Sequence, residues 1–119
     1  MYTSFIQANL QHSITVSRLF SRTVSVKGIY IALIHEPWYR KGRIRSLNIL
    51  GYTLFSASGI DRPRAFILTR DKTTRIIPGF SCRDVVAILI KYNEYGAERR
   101  LVVCCAYLPY DSEDPPRSY

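Results

Sequence analysis

The chain is short of acid, of cysteine and of long apolar runs. Nine Asp and Glu stand against seventeen Lys and Arg, leaving a net charge of +8 over 119 residues. That balance favours a polyanionic partner, nucleic acid ahead of an acidic membrane surface; the plainer reading is charge that serves only solubility. Most of the cations are arginine, which suits forked contacts to phosphate. The three cysteines, Cys82, Cys104 and Cys105, are odd in number, and two are adjacent. No disulfide framework follows, and no C-x-x-C spacing points to zinc. They read as small buried apolar residues in a reducing compartment, with Cys104 and Cys105 on opposite faces of one strand. The longest apolar run, "IYIALI" at 29–34, is far below the roughly 20 residues that span a bilayer. The start, "MYTSFIQANLQHS", has neither the basic residues nor the apolar core of a signal peptide. The expectation is a soluble intracellular protein, nuclear or cytoplasmic, without a membrane partner.

What is present is the apolar content of a folded domain. An apolar fraction of 47% is ordinary for a globular chain and argues against disorder along its whole length. At 119 residues the chain is one domain or part of one. Residues 2–9 alternate loosely and read as a strand. From His12 to about Val26 the apolar residues Ile14, Leu19, Phe20 and Val24 fall near helical spacing, with Ser13 as N-cap and Gly28 as the stop. "IYIALI" then reads as a strand buried on both faces, as in a parallel pair. Strand, helix and strand make a βαβ unit. A basic loop fills 35–50. Short strands follow at 52–58, 64–70, 75–80, 84–93 and 99–109, the last two joined as a hairpin through "NEYGAE". The tail, "YDSEDPPRSY", is acidic and broken by proline. One helix for so many strands leaves sheet faces uncovered, which points to part of a larger domain or to a borrowed half.

Three residues at the C-terminal ends of expected strands are candidates for chemistry: Asn9, Glu36 and Tyr107. Ligands of open α/β folds gather at such ends. Glu36 follows an apolar strand and precedes Trp38, Arg40, Lys41, Arg43 and Arg45. A carboxylate there needs an offset, either an ion pair with the basic loop or a bound hard cation such as Mg2+. Pro37 biases Glu36 toward an extended conformation. Trp38 either stacks on a base beside the phosphate-binding cations or plugs the strand end. Asn9 either orients a phosphate or caps a turn. His12 and His35 have no obvious carboxylate to orient them as bases and read as surface or strand-end residues. Arg62, Arg64, Arg99 and Arg100 read as solvated faces.

Three ordered stretches, "QANLQHS", "ALIHEPW" and "CCAYLPYDS", carry a resemblance. With "RPRAFIL" and "PGFSCRDVVAILI" between the last two, they resemble the N-terminal half of the endonuclease domain of insect-type non-LTR retrotransposons. That domain is similar to the apurinic/apyrimidinic endonucleases of the endonuclease/exonuclease/phosphatase family. The resemblance implies an α/β fold, a partial four-layer sandwich with an N-terminal βαβ unit and then a strand-rich meander, over residues 1–119. It implies Mg2+-dependent nicking of DNA, with Asn9 and Glu36 at the metal and Tyr107 holding the scissile phosphate. Gln11 stands where many relatives have Asp, and His35 where Gln is common. Nothing in the chain matches the later Asp-x-Asn and Ser-Asp-His motifs of the family. The expectation is therefore a fragment inactive by itself, whose partners are DNA, the missing C-terminal half or a reverse transcriptase. A non-catalytic basic nucleic-acid-binding module and a non-functional gene fragment are the alternatives.

Overall fold

The computed structural model describes residues 4–108. The ends of the first and last expected strands (residues 2–3 and 109) and the acidic tail lie outside that range. The elements run β1 (Phe5–Asn9), α1 (Ile14–Lys27), β2 (Ile31–His35), β3 (Thr53–Phe55), β4 (Ala65–Thr69), β5 (Arg75–Ile76), a 3-10 turn (Pro78–Phe80), β6 (Val85–Glu94) and β7 (Ala97–Ala106).

The helix begins and ends where its capping residues dictate. The Ser13 hydroxyl accepts from the Val16 N–H at 3.2 Å, satisfying one donor of the open first turn. Gly28 adopts φ 61° and lets the chain turn back, with the Ile29 N–H donating to Val24 O at 3.1 Å. The helix buries Ser17, Phe20 and Val24, a stripe at i, i+3 and i+7. Leu19, expected inside, is exposed, because the buried stripe lies on the adjoining side of the helix.

β1 and β2 pair in parallel across the helix, as the βαβ pattern requires. The remainder is not a simple meander. β4 returns antiparallel to β2, and β3 takes the far edge, giving the order β1-β2-β4-β3. β5, β6 and β7 form a separate antiparallel sheet in sequence order. The β6–β7 hairpin closes through Tyr95 and Gly96, both at positive φ (51° and 76°). Such a two-residue turn follows the natural twist of the strands.

Alternation along the strands builds two cores. Ala32, Ile34, Phe66 and Leu68 face the helix and meet Phe20, Val24, Leu10 and Leu47. Ile31, Ala65 and Ile67 face the second sheet and meet Val86, Ile88, Ile90, Val103 and Cys105. The described residues therefore build three layers: helix, mixed sheet, antiparallel sheet. Two apolar surfaces stay open. Phe5, on the inter-sheet face of β1, is 51% exposed, since the three-stranded sheet packs on β4 and does not extend over that edge. Val102, on the outward face of β7, is 59% exposed. Cys105 is buried and Cys104 exposed, on opposite faces as expected. Cys82 is also exposed, so burial holds for only one of the three; Cys82 lies on a turn beside the sheet edge and Cys104 on its uncovered face.

Gly28→Ala is expected to cost about 1 kcal/mol, because alanine resists the left-handed conformation. Its Cβ would also sit 3.2 Å from Arg70 Nη1. Ile88→Ala, between the sheets, is expected to cost about 2–5 kcal/mol through the cavity it leaves. Urea melts of the two variants should rank in that order.

Candidate active site

The site forms where the β2–β4 ladder runs out. Its last pair is His35 with Ala65. One step further the Glu36 N–H donates to Arg64 O at 3.0 Å, and the Arg64 N–H donates to Arg83 O at 2.8 Å. From the other side the Leu10 N–H donates to His35 O and the His12 N–H to Glu36 O, both at 2.8 Å. These bonds hold Glu36 at φ 49°, a left-handed conformation, not the extended one that the following proline favours. Backbone bonding on both flanks overrides the local preference. Gln11 and His12 are left-handed as well, at 52° and 54°. Such positions cost free energy and gather at sites where geometry matters.

The Glu36 side chain is 17% exposed and opens into a cleft of about 730 Å³. His12, Trp38, Tyr39, Arg62, Arg64 and Tyr107 are among its lining residues. Glu36 Oε2 lies 3.4 Å from His12 Nε2. The Tyr107 hydroxyl faces the same carboxylate, whose influence is the chief reason its pKa is raised. Tyr107 is held from behind. Its N–H donates to Asp84 O at 2.7 Å, the Arg64 guanidinium lies 5.4 Å from its ring centre, and the His35 ring meets it edge-on at 5.6 Å. His35 itself has a buried, unpartnered Nε2, and burial lowers its pKa. Asp84 Oδ1 stands 3.5 Å from Arg64 Nε and 3.9 Å from Arg83 Nε. It is the counter-charge that keeps two arginines beside the cleft.

Of the expected site residues, the fold brings together Glu36, Tyr107 and Trp38. Trp38 is half-buried on the cleft wall, its N–H donating to the buried Ser17 hydroxyl at 3.3 Å. Asn9 is next to the site by register, opposite His35, but its Oδ1 accepts from the Gln11 N–H at 2.8 Å and so shapes the turn. Its amide N–H groups remain as donors. Arg40, Lys41, Arg43 and Arg45 are exposed and do not line the cleft. Arg40 and Arg43 exchange both backbone hydrogen bonds, at 2.8 and 3.0 Å, closing a two-residue turn that carries these cations outward. The cleft's cations are instead Arg62 and Arg64, which read in sequence as solvated faces, and Arg83. Arg62 is held there by Tyr39, over whose ring it lies at 5.9 Å and whose hydroxyl donates to Pro63 O at 2.6 Å. The alternating "DRPR", with a proline to stiffen it, was the only local signal. Among the described residues no group of three or more His, Cys, Asp and Glu is placed to hold a metal. A metal at Glu36 would take part of its shell from water or phosphate oxygen.

A search of solved structures finds a similar fold. The chain superposes on the endonuclease domain of TRAS1, a telomere-specific non-LTR retrotransposon, with a TM-score of 0.63. The match covers 90% of this chain at 21% sequence identity. This chain has the fold of part of that endonuclease domain. It spans 45% of the length of the TRAS1 domain. A scan against protein-family models and a search of curated proteins each gave no match. No helix among the described residues is long and apolar enough to cross a membrane.

Burial pushes the Tyr39 phenol up to about 12. A phenol whose pKa is higher folded than unfolded adds stability that is full below pH 10 and drains away as pH rises toward 12. Tyr39→Phe is expected to cost about 1 kcal/mol at neutral pH through the lost bond to Pro63 O, and to flatten the fall above pH 10. Tyr30, also pushed up to about 12, leaves a remainder. Thermal melts across pH 7–11.5 read both effects.

Proposed function

We propose that the chain is part of a Mg2+-dependent DNA endonuclease domain of the endonuclease/exonuclease/phosphatase type, the kind that nicks target DNA for retrotransposition. The observation that carries this reading is the carboxylate of Glu36, held by backbone bonds in a cleft with the Tyr107 phenol and rimmed by Arg62, Arg64 and Arg83. An acidic ligand inside a basic rim fits a bound divalent cation that meets a phosphate. When bound, Mg2+ polarises a phosphoryl oxygen. The chain's own residues bind and orient: Glu36 at the metal, Asn9 beside it with its amide N–H groups toward a phosphate oxygen or metal-bound water, Tyr107 as a donor to the scissile phosphate, the cleft arginines along its neighbours. The exposed turn of Arg40, Lys41, Arg43 and Arg45 extends the contact with the DNA backbone, and Trp38 offers a face for a base.

The same observations account for a chain that holds DNA without cutting it efficiently. Hydrolysis also needs a positioned nucleophile and stabilisation of the departing oxygen. Besides Glu36 the cleft is lined by one carboxylate, Asp61, and no group of three or more His, Cys, Asp and Glu gathers there among the described residues. The remaining half of the domain would provide the groups for these tasks, together with a fourth layer over the outward face of β6 and β7; a reverse transcriptase of a parent element is the further partner. The exposed cations of the 40–45 turn, which form no ion pair among the described residues, favour a second reading, a basic nucleic-acid-binding module without catalysis.

With supercoiled plasmid and Mg2+, the 119-residue protein is expected to nick no faster than Glu36→Ala. Robust nicking that depends on Glu36 would show that the chain is a complete catalyst. Binding to duplex DNA should weaken steeply with salt. Arg43→Ala and Arg83→Ala should each lower the slope of log K against log salt by about one. Salt-independent binding would sink both readings.

A further inference from the structure

His12 does more than border the Glu36 carboxylate. Its Nδ1 lies 3.2 Å from Pro37 O. A carbonyl only accepts, so Nδ1 carries the hydrogen. In the neutral ring, Nε2 is then a bare lone pair, and it faces Glu36 Oε2 at 3.4 Å. Two acceptors face each other across a gap that a cation would fill. Two ligands about 2.1 Å from one ion lie about 3.0 Å apart at the right angle of an octahedral site and about 3.4 Å apart at a wider angle, so a small adjustment of either side chain brings both onto one ion. An imidazole that donates its second nitrogen to a backbone carbonyl is also the usual arrangement of a metal-binding histidine, since that bond sets the tautomer and aims the ring.

The backbone is built for this meeting. The His12 N–H donates to Glu36 O at 2.8 Å, and Pro37, whose carbonyl holds the ring, is the residue after Glu36. Three of the six non-glycine residues at positive φ among the described residues, Gln11, His12 and Glu36, lie at this one junction. The turn spends conformational strain to bring the ring over the carboxylate.

We propose that His12 is a direct metal ligand through Nε2, paired with Glu36, and that it turns an oxygen site into a mixed nitrogen–oxygen site that prefers Mn2+ to Mg2+. An imidazole nitrogen adds more to the binding of a first-row transition ion such as Mn2+, which also takes the carboxylate, than to that of Mg2+, which prefers oxygen donors and keeps its waters. The side chain is 58% exposed, which leaves Nε2 open to an entering ion. The inference rests on the reading of Glu36 as a metal ligand.

The test is direct binding, independent of any cleavage. Free Mn2+ is counted by its electron paramagnetic resonance signal while the full chain is titrated in, and Mg2+ is then added as competitor. His12→Ala is expected to weaken Mn2+ binding at least about tenfold, with a much smaller change for Mg2+; His12→Gln, which keeps the length of a polar side chain, is expected to do the same. Glu36→Gln is expected to abolish binding of both. Circular dichroism melts verify that each variant folds. Mn2+ binding that needs Glu36 but is unchanged in both His12 variants would overturn the role of His12 and leave the Glu36 reading intact. Binding indifferent to Glu36→Gln would overturn both.

Discussion

The antiparallel ladder between β2 and β4 is the constraint on which everything else hangs. β4 is buried at all five positions, bonded to β2 on one side and β3 on the other, covered by the helix below and by β6 and β7 above. Five consecutive buried backbone units are tolerable only when every N–H and C=O has a partner, and a central strand meets that demand. The ladder's next hydrogen bond beyond its last pair is the one from the Glu36 N–H to Arg64 O. The same interaction that closes the core therefore sets the position of the carboxylate.

The site is a compromise between attracting and repelling charges. Glu36 alone would oppose an approaching phosphate, and the three cleft arginines alone would hold one without any means of activating it. Asp84 tempers two of those arginines through contacts of 3.5 and 3.9 Å, and the Tyr107 phenol is a neutral group facing Glu36. The cluster links the sheets at a single point. Arg64 and Glu36 come from the mixed sheet; Asp84 and Tyr107 flank β6 and β7 and bond to each other through the backbone. A shift between the layers would separate the carboxylate from its phenol.

Much of the fold was legible in the residues, because local rules and tertiary packing agree there. Ser13 and Gly28 mark a helix by capping chemistry that depends only on neighbours along the chain. "IYIALI" is apolar on both faces because both faces are covered. The return of β4 beside β2 and the exile of β3 to the edge were not legible, since strand order is a matter of long-range pairing and leaves no mark in alternation. Leu19 shows the same limit on a smaller scale: periodicity locates an apolar side of the helix but not which flank of it the sheet selects. Around the site, Glu36 and Tyr107 stood out as polar groups at the ends of apolar strands. Arg62, Arg64 and Arg83 did not, because a cation in a loop looks alike whether it faces solvent or a cleft.

By itself the sequence determined the elements, their caps, the strongly basic character and the presence of a carboxylate at a strand end. Each of these follows from composition or from interactions a few residues long. Only the tertiary structure decided that Glu36 is bent into a left-handed conformation against its proline, that His12 and Tyr107 converge on it from 24 residues before and 71 after, and that the conspicuous cations of the 40–45 turn point away while quieter ones line the cleft. The reason is the same in each case. Hydrogen bonds between distant strands outweigh local preference by acting together, and they place side chains according to register, which no short stretch of chain contains.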